Sequence, residues 1–179
     1  MSTADYAAAS ASHLTKGSIH RLAESVAKQL GYEPGDDLTA LVKKLGGEVQ
    51  YKDFWGGDQS DSGSTVISGE GSFIIYIARQ TSYERDRFTI AHELGHYVLH
   101  YLWAKRKGKD VQAMRANRYG SDRTEWEANW FAAAFLMPEQ PFQDYFSEVD
   151  GDITLIADKF GVSSTAARIR AQALGLLAP

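Results

Sequence analysis

Three of the chain's five histidines, His92, His96 and His100, fall within nine residues, and Glu93 stands beside the first of them. On a helix turning about 100° per residue, His92 and His96 are about 40° apart in azimuth and one turn apart along the axis, so both imidazoles reach one point beside the helix. Glu93 lies about 60° around from His96, near that point but offset from it. Two neutral nitrogens with an adjacent carboxylate suit zinc-assisted hydrolysis. The nitrogens hold the ion, and the carboxylate takes a proton from water. The chain has no cysteine, which excludes disulfides, thiol catalysis and Cys-ligated zinc. A further ligand must then be His or carboxylate.

His100 sits one turn beyond His96, about 6 Å along the axis. Three ligands spread over two turns of one straight helix converge poorly, so His100 is expected behind a ligand or in the cleft. A more distant histidine at His-x-x-Gly-x-x-His spacing is absent, because Leu102 occupies that place. The other source of a carboxylate is the stretch from Asp122 to Pro138. There Asp122 and Glu125 fit a capping box, which gives Glu125 a structural role. Glu127 falls inside the helix, followed by Ala128, Phe131 and Ala132, where a carboxylate needs a charge partner. Glu127 is therefore the expected third ligand and Glu125 the alternative. For the second donor to a reacting oxyanion, His100, Tyr97 and Tyr101 are the nearest candidates.

The elements around these residues read as follows. Ser18 caps a first helix carrying Ile19, Leu22, Val26 and Leu30, and a second short helix carries Leu38, Leu41, Val42 and Leu45. Residues 48–54, 65–68 and 72–78 are rich in Val, Ile, Tyr and Phe and read as strands of a small antiparallel sheet. A substrate strand is expected to add near residues 72–78. Ser82 caps a long helix over residues 83–103 that holds the histidines. Asp122 starts another that stops at Pro138, and helical patterns over 153–160 and 164–174 complete an α+β chain. Trp126 and Trp130 are expected in the core. Trp55 is expected in a packing role, with the substrate groove as the alternative. Residues 104–121 form a basic, solvated loop.

With 179 residues, 44% hydrophobic and 23% charged, the chain can bury a sizeable core. A net charge of −4 does not suit coating nucleic acid or an anionic membrane. No stretch reads as a leader or a membrane span. A cytoplasmic protein is expected, with a flexible N-terminus at 1–17, a catalytic domain at 18–149 and a helical, helix-turn-helix-like subdomain at 150–179. Asp150, Asp152 and Asp158 beside that tail argue against direct DNA binding.

The run from Arg87 to His100, Arg-Phe-Thr-Ile-Ala-His-Glu-Leu-Gly-His-Tyr-Val-Leu-His, resembles the core of the ImmA/IrrE family of metallo-endopeptidases. So does Glu125-x-Glu127-Ala128-Asn129-x-Phe131-Ala132-Ala133, which ends in Leu136-Met137-Pro138. The tail from Phe160 to Leu176 is similar to that family's C-terminal segment, apart from Ala171, where the pattern has Leu. The resemblance implies a zincin-like, gluzincin-like fold with one zinc per chain on His92, His96 and a downstream Glu, and Glu93 as base. It also implies a partner: a helix-turn-helix repressor of a mobile element or of a stress or DNA-damage regulon. The alternative is a non-proteolytic, antitoxin-like regulator that keeps the fold.

Overall fold

The computed structural model describes residues 6–53, 64–117 and 122–178. Along the chain run β1 (Ala7–Ala8), α1 (Lys16–Leu30), α2 (Leu38–Lys44), β2 (Gly47–Lys52), β3 (Ser64–Ile67) and β4 (Phe73–Ala78). Then come α3 (Tyr83–Gly95), α4 (Trp103–Arg106), β5 (Met114–Asn117), α5 (Arg123–Leu136), α6 (Glu139–Glu148), α7 (Ile153–Phe160) and α8 (Ser164–Ala173). A π-helical segment, His96–Leu102, joins α3 to α4 without a break. The class is α+β, with one five-stranded sheet in the order β1-β5-β3-β4-β2. Trp55, the loop at 56–63 and Arg118 lie outside the described residues.

The sheet differs from the antiparallel one expected. β3 pairs antiparallel with β4 and with β5, but β2 pairs parallel with β4 and β1 parallel with β5. The Gly69-Glu70-Gly71 turn makes a hairpin of β3 and β4, and β2 joins the far side of β4 rather than β3. β4 is thereby interior, so no substrate strand can add along it. Its alternation is that of a half-buried strand: Phe73, Ile75 and Ile77 turn inward. Gly47 lies under the Phe73 ring, where a Cβ would stand 2.4 Å from that ring. Phe73 stacks on Tyr97 at 4.0 Å between centroids and so seats the sheet on the π-helical segment.

Three other expectations are corrected. α1 begins at Lys16 under a Thr15 cap rather than at Ser18. The Thr15 hydroxyl accepts from Ser18 N–H at 3.2 Å. The basic stretch at 104–121 contributes β5 to the sheet, with Met114 and Ala116 buried. Trp126 is 51% exposed, because α5 buries its Ala128, Phe131 and Ala132 faces and turns Trp126 away. Trp130 is partly buried, with the Arg123 guanidinium 4.9 Å from its ring centroid. No helix among the described residues is long and apolar enough to cross a membrane.

Two buried arginines attach the C-terminal helices. Arg87 donates to Gly161 O at 3.1 Å, to the Tyr32 hydroxyl at 2.9 Å and to Asp36 O. Arg170 donates to Met137 O at 3.0 Å and reaches Glu24 at 3.4 Å. Beside Arg170, half-buried His20 has its pKa lowered to about 4 by burial and then by the charges of Arg170 and Lys16. His20 is thus neutral in both folded and unfolded chains above its usual value of 6.5. Between that value and about 4 the unfolded chain takes up a proton that the folded chain refuses. Stability should therefore fall as pH falls through this window, and His20→Gln should flatten the loss. Denaturant midpoints at neutral pH and near the lower end test this, and an equally steep loss in the variant would contradict it.

Candidate metal centre

The histidine helix and α5 meet at Gly95. A Cβ there would stand 3.1 Å from Ala128 Cα and 3.2 Å from Ala128 O, so the two backbones touch. Ser82 starts α3 by accepting from Arg85 N–H at 3.3 Å, and Asp122 starts α5 by accepting from Glu125 N–H at 3.2 Å. These starts and that crossing lay the first turn of α5 against the histidine motif.

The result is a group of three ligand atoms, one each from His92, His96 and Glu125, that all lie within 4.8 Å of one another. The Nε2 atoms of the two histidines are 3.1 Å apart. Glu125 Oε2 is 3.2 Å from His92 Nε2, and Oε1 is 3.1 Å from His96 Nε2. Tetrahedral zinc bonds of ~2.0–2.1 Å span edges of roughly 3.3–3.4 Å. The three donors are therefore spaced as such an ion requires. Glu93 follows His92 on the same helix and is 1% exposed, and among the described residues its buried Oε2 has no hydrogen-bond partner. A buried carboxylate oxygen of this kind calls for a hydrogen-bond donor.

The outer nitrogens decide what the inner ones can do. His92 Nδ1 is 2.9 Å from Asn129 Oδ1, an acceptor, so Nδ1 carries the hydrogen and Nε2 keeps its lone pair. His100 Nε2 is 3.1 Å from Glu127 Oε2 and donates to it. Burial lowers the pKa of His100, outweighing the hydrogen bond to Glu127 that favours its charged form. His100 is then neutral, and its Nδ1, 3.0 Å from His96 Nδ1, must accept. His96 in turn presents a lone pair at Nε2. Burial works to raise the pKa of Glu125, but the two imidazoles beside it outweigh burial and hold the carboxyl well below the usual range. Two imidazole nitrogens and a carboxylate thus converge, and a cation or shared protons at their centre would satisfy them.

The structure brings His92 and His96 together and places Glu125, rather than Glu127, against them. Half of the expected capping box is present, the bond from Glu125 N–H to Asp122, but the Glu125 side chain turns to the histidines instead of back to the cap. Glu127 is two residues on and faces the other side of α5, toward His100 and Arg123. His100 lies in the π-helical segment, its ring 5.0 Å from that of His96 and tilted to it by 53°. Neither tyrosine serves as an oxyanion donor. Tyr97 Oη donates to Gly71 O at 3.2 Å and Tyr101 Oη to Gly69 O at 3.1 Å, so both hydroxyls are committed to the β3–β4 turn. His100 is committed in the same way to Glu127. Asn129 escaped the sequence reading as a support for His92, although its position four residues after Glu125 puts both on one helix face.

A buried trio of two histidines and a glutamate, with the histidines in a His-Glu-x-x-His helix, is an arrangement of the metallopeptidase class. The chain belongs to the IrrE N-terminal-like domain family (Peptidase_M78), whose model matches residues 42–172. No curated protein matches the chain at a significant level. Among solved structures, a Mycobacterium tuberculosis transcriptional regulator superposes with a TM-score of 0.62 at 20% identity, over 87% of this chain. The match shares the fold, and this chain spans 47% of that protein.

The Gly95 contact yields a test of how the trio is held. Gly95→Ala should push α5 off the histidine helix, costing about 1–3 kcal/mol of stability and weakening metal binding at the same time. Chemical denaturation and a metal titration read the two effects, and an alanine variant unchanged in both would contradict this account of the crossing.

Proposed function

We propose that the chain is a zinc-dependent endopeptidase, with zinc held by His92, His96 and Glu125 and with Glu93 as the general base. The observation that carries this reading is the convergence of those three donors, next along the helix to Glu93, whose buried Oε2 has no partner among the described residues. When bound, zinc polarises the scissile carbonyl and lowers the pKa of water toward ~7. Glu93 takes the proton from the attacking water and passes it to the leaving amine, so the carboxylate ends as it began. Asn129 and His100 fix the tautomers of His92 and His96. Glu125, ionised by its surroundings, supplies the negative charge that offsets the cation.

The substrate in this proposal is a helix-turn-helix repressor of a mobile-element or stress regulon. The resemblance of the two motifs to the ImmA/IrrE family supports it. The similarity to a protein described as a transcriptional regulator is in keeping with it. The α7–α8 pair serves here as a packing or docking unit rather than a DNA reader. The Thr165 and Ile169 side of α8 lines a groove shared with Phe88 of α3 and Trp130 of α5.

Glu93→Gln should retain zinc and lose about 10²–10⁴-fold in cleavage rate. Glu125→Ala should lose zinc. Elemental analysis of the purified variants and gel assays on a candidate repressor, with and without chelator, measure both. Undiminished cutting by Glu93→Gln would overturn the base assignment. Cutting that never appears, with zinc bound, would favour the non-proteolytic regulator.

A further inference from the structure

Glu127 is fully buried, and its carboxylate takes four donors. His100 Nε2 and Ser12 N–H lie 3.1 and 2.8 Å from Oε2, and Arg123 Nε and His13 N–H lie 2.9 and 3.0 Å from Oε1. Two of the four are consecutive backbone amides from the far end of the sequence. In the same turn His13 adopts a left-handed conformation, with φ of 59°. Successive N–H groups in such a turn form an anion-binding concavity, and here the anion is the chain's own carboxylate. A non-glycine residue held in that conformation is strained and persists only where its surroundings fix it. Two further bonds fix this one. Leu14 N–H donates to Ser12 Oγ at 3.2 Å, and Arg123 Nη2 donates to Leu14 O at 2.6 Å. Just upstream, β1 attaches the same segment to β5.

Resting on the proposed zinc site, we infer that residues 6–14 belong to the support of the metal centre, with Glu127, His100 and the Ser12 and His13 amides as positioning groups acting through His96. The four donors fix the Glu127 carboxylate in place. Glu127 accepts from His100 Nε2, which leaves His100 Nδ1 as the acceptor for His96 Nδ1–H. His96 is left with its Nε2 lone pair toward the ion. If the amides withdraw, the carboxylate is left buried with two fewer donors and the tautomer chain loses its anchor. Coupling of this kind is reciprocal: docking of the N-terminal segment tightens zinc, and zinc tightens the docking by the same factor. The segment is thus a place where a partner that peeled off β1 would loosen the metal.

The test uses the full chain and zinc alone, by competition with a chelator of known affinity. Ser12→Pro removes one amide donor, while Ser12→Ala keeps it and loses only the hydroxyl. Glu127→Gln keeps the shape of the carboxylate without its charge. Ser12→Pro and Glu127→Gln should each bind zinc about 10- to 100-fold more weakly and alter the visible spectrum of the cobalt-substituted protein. Ser12→Ala, which keeps the amide and loses only the bond from Leu14 N–H, should weaken zinc binding less than Ser12→Pro does. In the parent, zinc should slow amide hydrogen exchange over residues 6–14. Parental affinity and spectrum in both Ser12→Pro and Glu127→Gln, with exchange insensitive to zinc, would overturn the inference while leaving the zinc site standing. A parent chain that bound no zinc would overturn the proposed function and this inference with it.

Discussion

Two imidazole lone pairs and one carboxylate are aimed at a single buried point, and most of the features around that point can be read as consequences. Groups of this kind repel one another unless positive charge sits among them, and burial removes the water that would otherwise screen them. The protein therefore has to hold them against their own repulsion. It does so from behind each histidine, with Asn129 on His92 and the His100–Glu127 pair on His96. It also does so by bringing α5 into backbone contact with the histidine helix at Gly95 and Ala128.

The same constraint explains why one helix carries two glutamates with different duties. Glu125 and Asn129 are one turn apart on the face of α5 that meets α3, so one donor completes the trio and the other orients a ligand. Glu127 faces the π-helical segment and the N-terminal residues, where its charge is taken up by His100, Arg123 and two amides. The sheet contributes indirectly. Tyr97 and Tyr101 bind the β3–β4 turn to the π-helical segment, and Phe73 stacks on Tyr97.

The histidine motif, its capped helix and the α+β order were legible in the sequence because they rest on local rules: helical azimuth, cap residues and alternation. What was not legible rests on non-local contacts. The choice between Glu125 and Glu127 depends on the Gly95–Ala128 contact, and a capping-box pattern pointed the other way. The π-helical segment carries no Pro and no internal Gly to mark it, since its sequence His-Tyr-Val-Leu-His-Tyr-Leu reads as ordinary helix. The parallel pairing of β2 with β4 follows from strand order, which hydrophobic alternation does not encode. The contacts of Ser12 and His13 with Glu127 are made by backbone amides, which composition cannot show.

The central claim is that His92, His96 and Glu125 form one zinc site. Zinc K-edge absorption on the purified chain, compared with its Glu127→Gln variant, tests it most directly. The account predicts two imidazole nitrogens and carboxylate or water oxygens at ~2.0–2.2 Å in the parent, with the same ligand set kept in the variant. A parent shell with three imidazoles, or a variant shell that has lost a carboxylate oxygen, would contradict it.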